Sequence, residues 1–297
     1  ISIFITLSSI CKNINLDNSI AEKDLVELNS KNINLTIGIF TYQFKSYYKA
    51  ELERIARCIE IIDRHKRFRY TPENRFDQNM ISIKLEFFHT HNENNNCDNN
   101  HGVLDFDKFA KFVDLANRND IMIGIDAMLE KNKQEELNTY LKLIKLGYNN
   151  VFITLACYRE DIDERVDIVL KNKGHIRLVK GYYSDNTVKE WSQVTANYLR
   201  NAKKLVEDNN FHIIATHDFE ILQKLYQEYG SRMDQKQIAF FELYKSFVQK
   251  KLSQFPYKIK HISYYKPYGR VCLSLTHMGK YIHLTREFQR RVLGKVY

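Results

Sequence analysis

The sequence predicts an α/β fold, a distorted (β/α)8 TIM-type barrel with an N-terminal helical extension, and three observations predict it. Eight apolar runs of strand length alternate with amphipathic helical patterns at intervals of about 30 to 45 residues. Strand interiors are apolar while charged and polar residues collect at the carboxyl ends, which in a barrel open into one mouth. With only 3 Pro and 10 Gly in 297 residues there is little punctuation for linkers. One domain over residues 1–297 follows, with 1–30 as the extension and 270–297 as a C-terminal helical segment. A doubly wound open sheet, which shares the same alternation, is the runner-up.

Taken in order, a helical pattern over 21–29 runs into the first strand, 34–40, whose β-branched residues favour an extended chain. Leu52, Ile55, Ala56, Ile59 and Ile62 recur at helical spacing over 50–64, and the second strand follows at 80–88. The Asn-rich stretch 89–100 reads as a loop. A helix over 107–117, with Phe109, Phe112 and Leu115 inward, leads to the third strand, 121–126. A helix over 135–146 precedes the fourth strand at 151–155, and one over 162–171 precedes the fifth at 176–179. Helix 191–206, strand 211–215, helix 219–229, strand 237–241, helix 244–252 and strand 258–265 complete the series. Lys84, Asp126, Tyr158, Lys180, Thr216, His217, Asp218 and Tyr265 then converge at the mouth.

Apolar residues make up 44% of the chain and aromatics 13%, enough for a large core. The net charge of +9 is spread along the chain, with no basic run carrying interleaved aromatics, so a nucleic-acid partner is not expected. Five cysteines without a CxxC pair argue against a disulfide framework and for a reducing compartment. The apolar opening 1–11 is short for a spanning helix and lacks the basic flank of a signal peptide. The start reads as trimmed, no targeting segment is assigned, and an organellar one upstream of residue 1 is left open. The expected location is the cytoplasm or the inner face of a membrane, peripherally.

The most informative stretch is Arg177-Leu178-Val179-Lys180-Gly181-Tyr182-Tyr183. A short strand carries one cation on each face and ends in a glycine turn followed by two aromatics, which suits phosphates or an electron-rich ring. His89, His91, Cys97 and His101 offer zinc-ligand types, but their spacing fits no standard site, and an exposed polar loop is the expected role, with no metal. Cys157 is read as a packing residue, with a reactive thiol as the alternative.

Several segments in order resemble the FAD-dependent proline dehydrogenase family, over roughly residues 21–270. They are Ser82-Ile83-Lys84-Leu85, Ile125-Asp126, Asn150-Val151-Phe152-Ile153-Thr154-Leu155, the stretch from Arg177 to Tyr183, Ala196-Asn197-Tyr198-Leu199, Ile214-Ala215-Thr216-His217-Asp218 and Lys266-Pro267-Tyr268-Gly269. The resemblance implies a divergent member with a distorted barrel and FAD as cofactor. It implies oxidation of L-proline, or a similar cyclic imino acid, to 1-pyrroline-5-carboxylate by hydride transfer to the flavin N5, with electrons passed to a quinone at a membrane surface. By position, Arg177 would hydrogen-bond the flavin near N5, Lys180 and Gly181 would hold the ribityl and pyrophosphate part, and Thr216, His217 and Asp218 would lie against the cofactor. Lys84 would meet the substrate carboxylate beside Asp126, and Tyr183, Leu243 and Tyr265 would wall the ring site.

The chain also departs from that family. His277, Met278, Gly279 and Lys280 stand where the family places a paired Arg that clamps the carboxylate. Arg290 and Arg291 follow about ten residues later, either as that pair after an insertion or as solvated helix-face cations. Ala156 replaces a flavin-contacting Gln, Met128 an acidic residue, Ser184 an aromatic and Lys245 a Gly. These departures motivate the alternative, a catalytically altered or inactive barrel of the same family serving as a binding or regulatory module.

Overall fold

The computed structural model describes residues 26, 30, 34–38, 48–65, 79–90, 102–127, 133–181, 187–188, 190–216, 218–235, 238–241 and 261–264. Eight strands alternate with helices: β1 (Asn34–Gly38), α1 (Tyr48–Arg64), β2 (Met80–Ile83), α2 (Phe106–Arg118), β3 (Met122–Ile125), α3 (Lys133–Lys145), β4 (Val151–Ala156) and α4 (Ile162–Lys171). They continue with β5 (Ile176–Val179), α5 (Trp191–Glu207), β6 (His212–Ala215), α6 (Phe219–Gln235), β7 (Ile238–Phe241) and β8 (His261–Tyr264).

All eight strands lie in one sheet in the order β7-β6-β5-β4-β3-β2-β1-β8. Every described pairing between these strands is parallel, including β1 with β8, where Thr36 pairs with Ser263. That last pairing bends the sheet round on itself, and β7 and β8 approach within 8 Å, Cα to Cα. The result is a (β/α)8 barrel with its looser seam between β7 and β8; the open doubly wound alternative does not join first strand to last.

Side-chain alternation splits β2 to β6 between two cores. Met80, Met122, Phe152, Phe211, Ile213 and Ala215 fill the barrel interior. Ile81, Ile83, Ile123, Ile125, Ile153, Leu155, Ile176, Leu178 and Ile214 face outward and pack with Val113, Leu143, Val166 and Leu205 of the surrounding helices. Apolar residues on both faces are what a parallel strand covered on both sides requires. Gly124 of β3 is small for a reason: a Cβ there would lie 2.1 Å from Cζ of the Phe152 ring, which fills the space instead.

Two sequence expectations are corrected. The second strand does not run through residue 88 but stops at Ile83, and Leu85–Phe88 forms a 3-10 turn with Leu85, Phe87 and Phe88 buried. Adjacent Phe87 and Phe88 would face opposite ways on a strand, whereas the turn brings Phe88 onto α2, 4.9 Å from Phe109 and 5.7 Å from Phe112, ring centroid to centroid. On α2 the inward stripe is Phe109, Phe112, Val113 and Ala116, and Leu115 is 37% exposed, since its angular position falls outside that stripe. The N-terminal extension is described only at Val26 and Ser30, both helical and exposed. The greater part of loop 89–100, helix 244–252 and the 270–297 segment lie outside the described residues.

Candidate active site at the carboxyl ends of the strands

The ladder register carries one row of side chains across the top of the barrel. Ile83 pairs with Ile125, and the Asp126 N–H donates to the Ile83 carbonyl at 2.8 Å, so Lys84 and Asp126 stand side by side. Ile125 pairs with Ile153, which puts Thr154 next to Asp126. Thr154 pairs with Arg177, and Arg177 with Ile213. These positions share parity with Met80, Met122, Phe152 and Ile213, so Lys84, Asp126, Thr154 and Arg177 all face the interior.

Within this row Arg177 Nη1 donates to Asp126 Oδ1 at 3.2 Å, and the same carboxylate oxygen accepts the Ala127 N–H at 3.1 Å. The side chains are 2% and 8% exposed, so the pair is held in a low-dielectric setting. Between the two strands stands Thr154, whose hydroxyl is buried and has no hydrogen-bond partner among the described residues.

Lys180 lies three residues beyond Arg177 and therefore on the other face, as its spacing predicts. Its Nζ lies 2.7 Å from Asp218 Oδ2 and 4.9 Å from the centroid of the Trp191 ring at the start of α5. Asp218 is also the cap of α6, its Oδ1 accepting the N–H groups of Glu220 and Ile221 at 3.1 and 3.3 Å, while Thr216 Oγ1 accepts the Asp218 N–H at 3.1 Å. The helix start thus fixes the carboxylate that fixes Lys180.

Gly181 has φ +78°, and a Cβ there would lie 2.4 Å from Cδ1 of Tyr158. The Tyr158 ring occupies the side left open by the missing side chain. It is backed by buried Arg159, whose Nε donates to the Tyr158 hydroxyl at 3.4 Å and whose Nη1 lies 3.4 Å from Glu136 Oε2. The Tyr158 carbonyl accepts from the Val188 N–H at 2.8 Å and from Thr187 Oγ1 at 3.1 Å, joining the segments after β4 and β5. Asn197 Nδ2 donates to the Cys157 carbonyl at 3.1 Å and so ties α5 to the same corner. Burial pushes the Cys157 thiol well above its ordinary pKa, which keeps it protonated and assigns it to packing.

The structure therefore brings Lys84, Asp126 and Arg177 together on the inner face, and Lys180, Gly181, Thr216 and Asp218 around the end of β5. His217, Tyr183, Leu243, Tyr265, Arg290 and Arg291 lie outside the described residues, as do His91, Cys97 and His101. His89 is engaged with Glu135, Nε2 to Oε2 at 3.0 Å. Thr154 went unassigned in the sequence; its signal was a lone hydroxyl on the parity of Phe152.

The donor set fits FAD in its chemistry: a buried guanidinium inside the mouth, an ammonium outside it, and a buried hydroxyl between cation and carboxylate suit an electron-rich ring bearing a pyrophosphate. Gly181 offers less than expected, since Tyr158 covers the side where a Cβ would stand. Among the described residues no group of three or more His, Cys, Asp or Glu is placed to hold a metal ion, and no helix is long and apolar enough to cross a membrane.

The proline dehydrogenase family matches residues 21–272. No curated protein matches the chain in sequence. Among solved structures, it is similar to proline utilization A (PutA) from Bdellovibrio bacteriovorus inactivated by N-propargylglycine, at 15% identity and TM-score 0.58, over 82% of this chain and 29% of that one. A PutA described with proline bound in remote sites matches at 17% identity and TM-score 0.61, over 88% of this chain and 28% of that one. A mutant of Bradyrhizobium japonicum PutA matches at 17% identity and TM-score 0.56, over 78% and 26%. At such identity the likeness is one of fold, and the chain spans less than a third of each of these proteins.

Proposed function

The chain belongs to the proline dehydrogenase family, and from that membership we propose that it oxidises L-proline, or a similar cyclic imino acid, to 1-pyrroline-5-carboxylate. The observation that carries the reading is the inner row in which Lys84, Asp126 and Arg177 stand at the mouth on β2, β3 and β5, with β4 between the last two.

Arg177, Lys180 and Gly181 would hold FAD, which when bound would supply the hydride acceptor for the C5–H bond, with a quinone as the proposed final electron acceptor. Arg177, anchored by Asp126, presents its guanidinium where negative charge develops, a cation oriented before substrate arrives. Lys84, one strand further along the row, places an ammonium for the substrate carboxylate. Loss of hydride from C5 and of a proton from nitrogen leaves a neutral imine, and walls from Tyr183, Leu243 and Tyr265 would hold the ring and exclude water. Arg290 and Arg291 are proposed as the carboxylate clamp. Outside the mouth, Lys180 with Gly181, Thr216, His217 and Asp218 would hold the phosphate-bearing arm, with Lys180 turning from Asp218 or bridging it to the phosphates.

Asp126 and Asp218 already neutralise Arg177 and Lys180, so a bound flavin would meet oriented but paired cations. This favours hydrogen bonding over net charge as the source of cofactor affinity. An altered barrel serving as a binding module is the second reading, favoured by Ala156, which gives β4 a methyl where the family presents an amide. Anaerobic proline added to FAD-loaded protein separates the two: loss of flavin absorbance supports the dehydrogenase chemistry, and an unchanged spectrum with FAD bound supports the module.

A further inference from the structure

We propose that Thr154 is a flavin-contacting residue of this barrel, its hydroxyl hydrogen-bonding the polar edge of the ring that Arg177 orients; the inference rests on the flavin reading above. Three observations carry it. Thr154 is 1% exposed and faces inward by its register with Arg177. Its Oγ1 has no hydrogen-bond partner among the described residues, although Asp126 and Arg177 flank it and bond each other. Two residues on, at the same parity, Ala156 presents only a methyl, so Thr154 is the side-chain hydroxyl that β4 offers the mouth.

A buried hydroxyl without a partner among the described residues is destabilising in the ligand-free protein, and a strand of Val, Phe, Ile and Leu gives no local reason for one. The position tolerates Val sterically, since Val matches the shape of Thr. A hydroxyl both donates and accepts, and the isoalloxazine edge alternates ring nitrogens with carbonyl oxygens, so either polarity finds a partner. Because β4 lies between Asp126 and Arg177, a ring reaching the guanidinium crosses Thr154.

The test compares Thr154→Val and Thr154→Ser with the wild type in FAD titrations and in thermal unfolding without FAD. The inference expects Thr154→Val to weaken FAD binding about tenfold, the effect of one unpaired buried hydrogen bond, while Thr154→Ser stays near wild type. It also expects Thr154→Val to melt no lower than wild type without FAD, since an orphaned hydroxyl is removed. Unchanged FAD affinity with a lower melting temperature would assign the hydroxyl to an internal water and overturn the inference alone. A wild-type protein with no FAD affinity would overturn the flavin reading and the inference with it.

Discussion

Arg177 and Asp126 meet across β4 at 3.2 Å, joining the fifth strand to the third over the side chain of Thr154. This contact turns the cation of the fifth strand inward and holds it before any ligand binds. Asp126→Ala leaves a buried guanidinium without its carboxylate, and the expected loss of stability is about 3–5 kcal/mol, read from urea unfolding. Arg177→Met with Asp126→Ala should lose less than the single Asp126 variant. A double-variant loss equal to the sum of the two single-variant losses would show that the pair is not coupled.

Gly181 holds φ +78° with the Tyr158 ring against it. Gly181→Ala should therefore lower stability by about 1–3 kcal/mol, part from backbone strain and part from the ring. Adding Tyr158→Ala should recover only the steric part, at the expense of its own cavity, so a double-mutant cycle in denaturant measures the coupling. Additive losses would place the ring elsewhere.

Asp208 accepts from His212 Nε2 at 3.0 Å, while His212 Nδ1 accepts the Ile176 N–H at 3.2 Å. The bond from His212 holds the Asp208 carboxyl at about 2, below its ordinary 3.8. A depressed carboxylate contributes stability that is present above its unfolded value and lost as pH falls through its folded one. Acid unfolding should thus steepen between about pH 4 and 2, and Asp208→Asn should flatten that portion while leaving the neutral region without such a slope. An unaltered acid limb in the variant would contradict the assignment.

Asp218 serves both Lys180 and the first turn of α6. Asp218→Asn keeps a capping oxygen but loses the charge, whereas Asp218→Ala loses both. The alanine variant should unfold about 1 kcal/mol more easily than the asparagine variant. Equal stabilities would remove the cap from the account.

Much of the barrel was legible because its signals are local. Apolar runs, helical spacing and the turn residues between them gave β5 and α4 their observed bounds, and a spacing of three placed Arg177 and Lys180 on opposite faces. The partners of those cations were not legible as such. Asp126 is 51 residues from Arg177 and Asp218 38 from Lys180, and only the register of the sheet brings them together. The 3-10 turn after Ile83 was hidden because an apolar run satisfies a strand and a buried turn alike, and the packing of Phe88 on α2 decided between them. Leu115 misled for the converse reason: its hydrophobicity was clear, but the face that α2 buries is set by its neighbours. Thr154 needed parity, register and the absence of a described partner together, none of which its identity alone supplies.

The most direct test is anaerobic addition of L-proline to the FAD-loaded protein, followed by the flavin absorbance, in wild type and Arg177→Met. The account predicts bleaching of the wild type with formation of 1-pyrroline-5-carboxylate, and bleaching at least a hundredfold slower in the variant, about 2.7 kcal/mol of lost transition-state stabilisation. A wild-type spectrum that proline leaves unchanged, or a variant that bleaches at the wild-type rate, would contradict it.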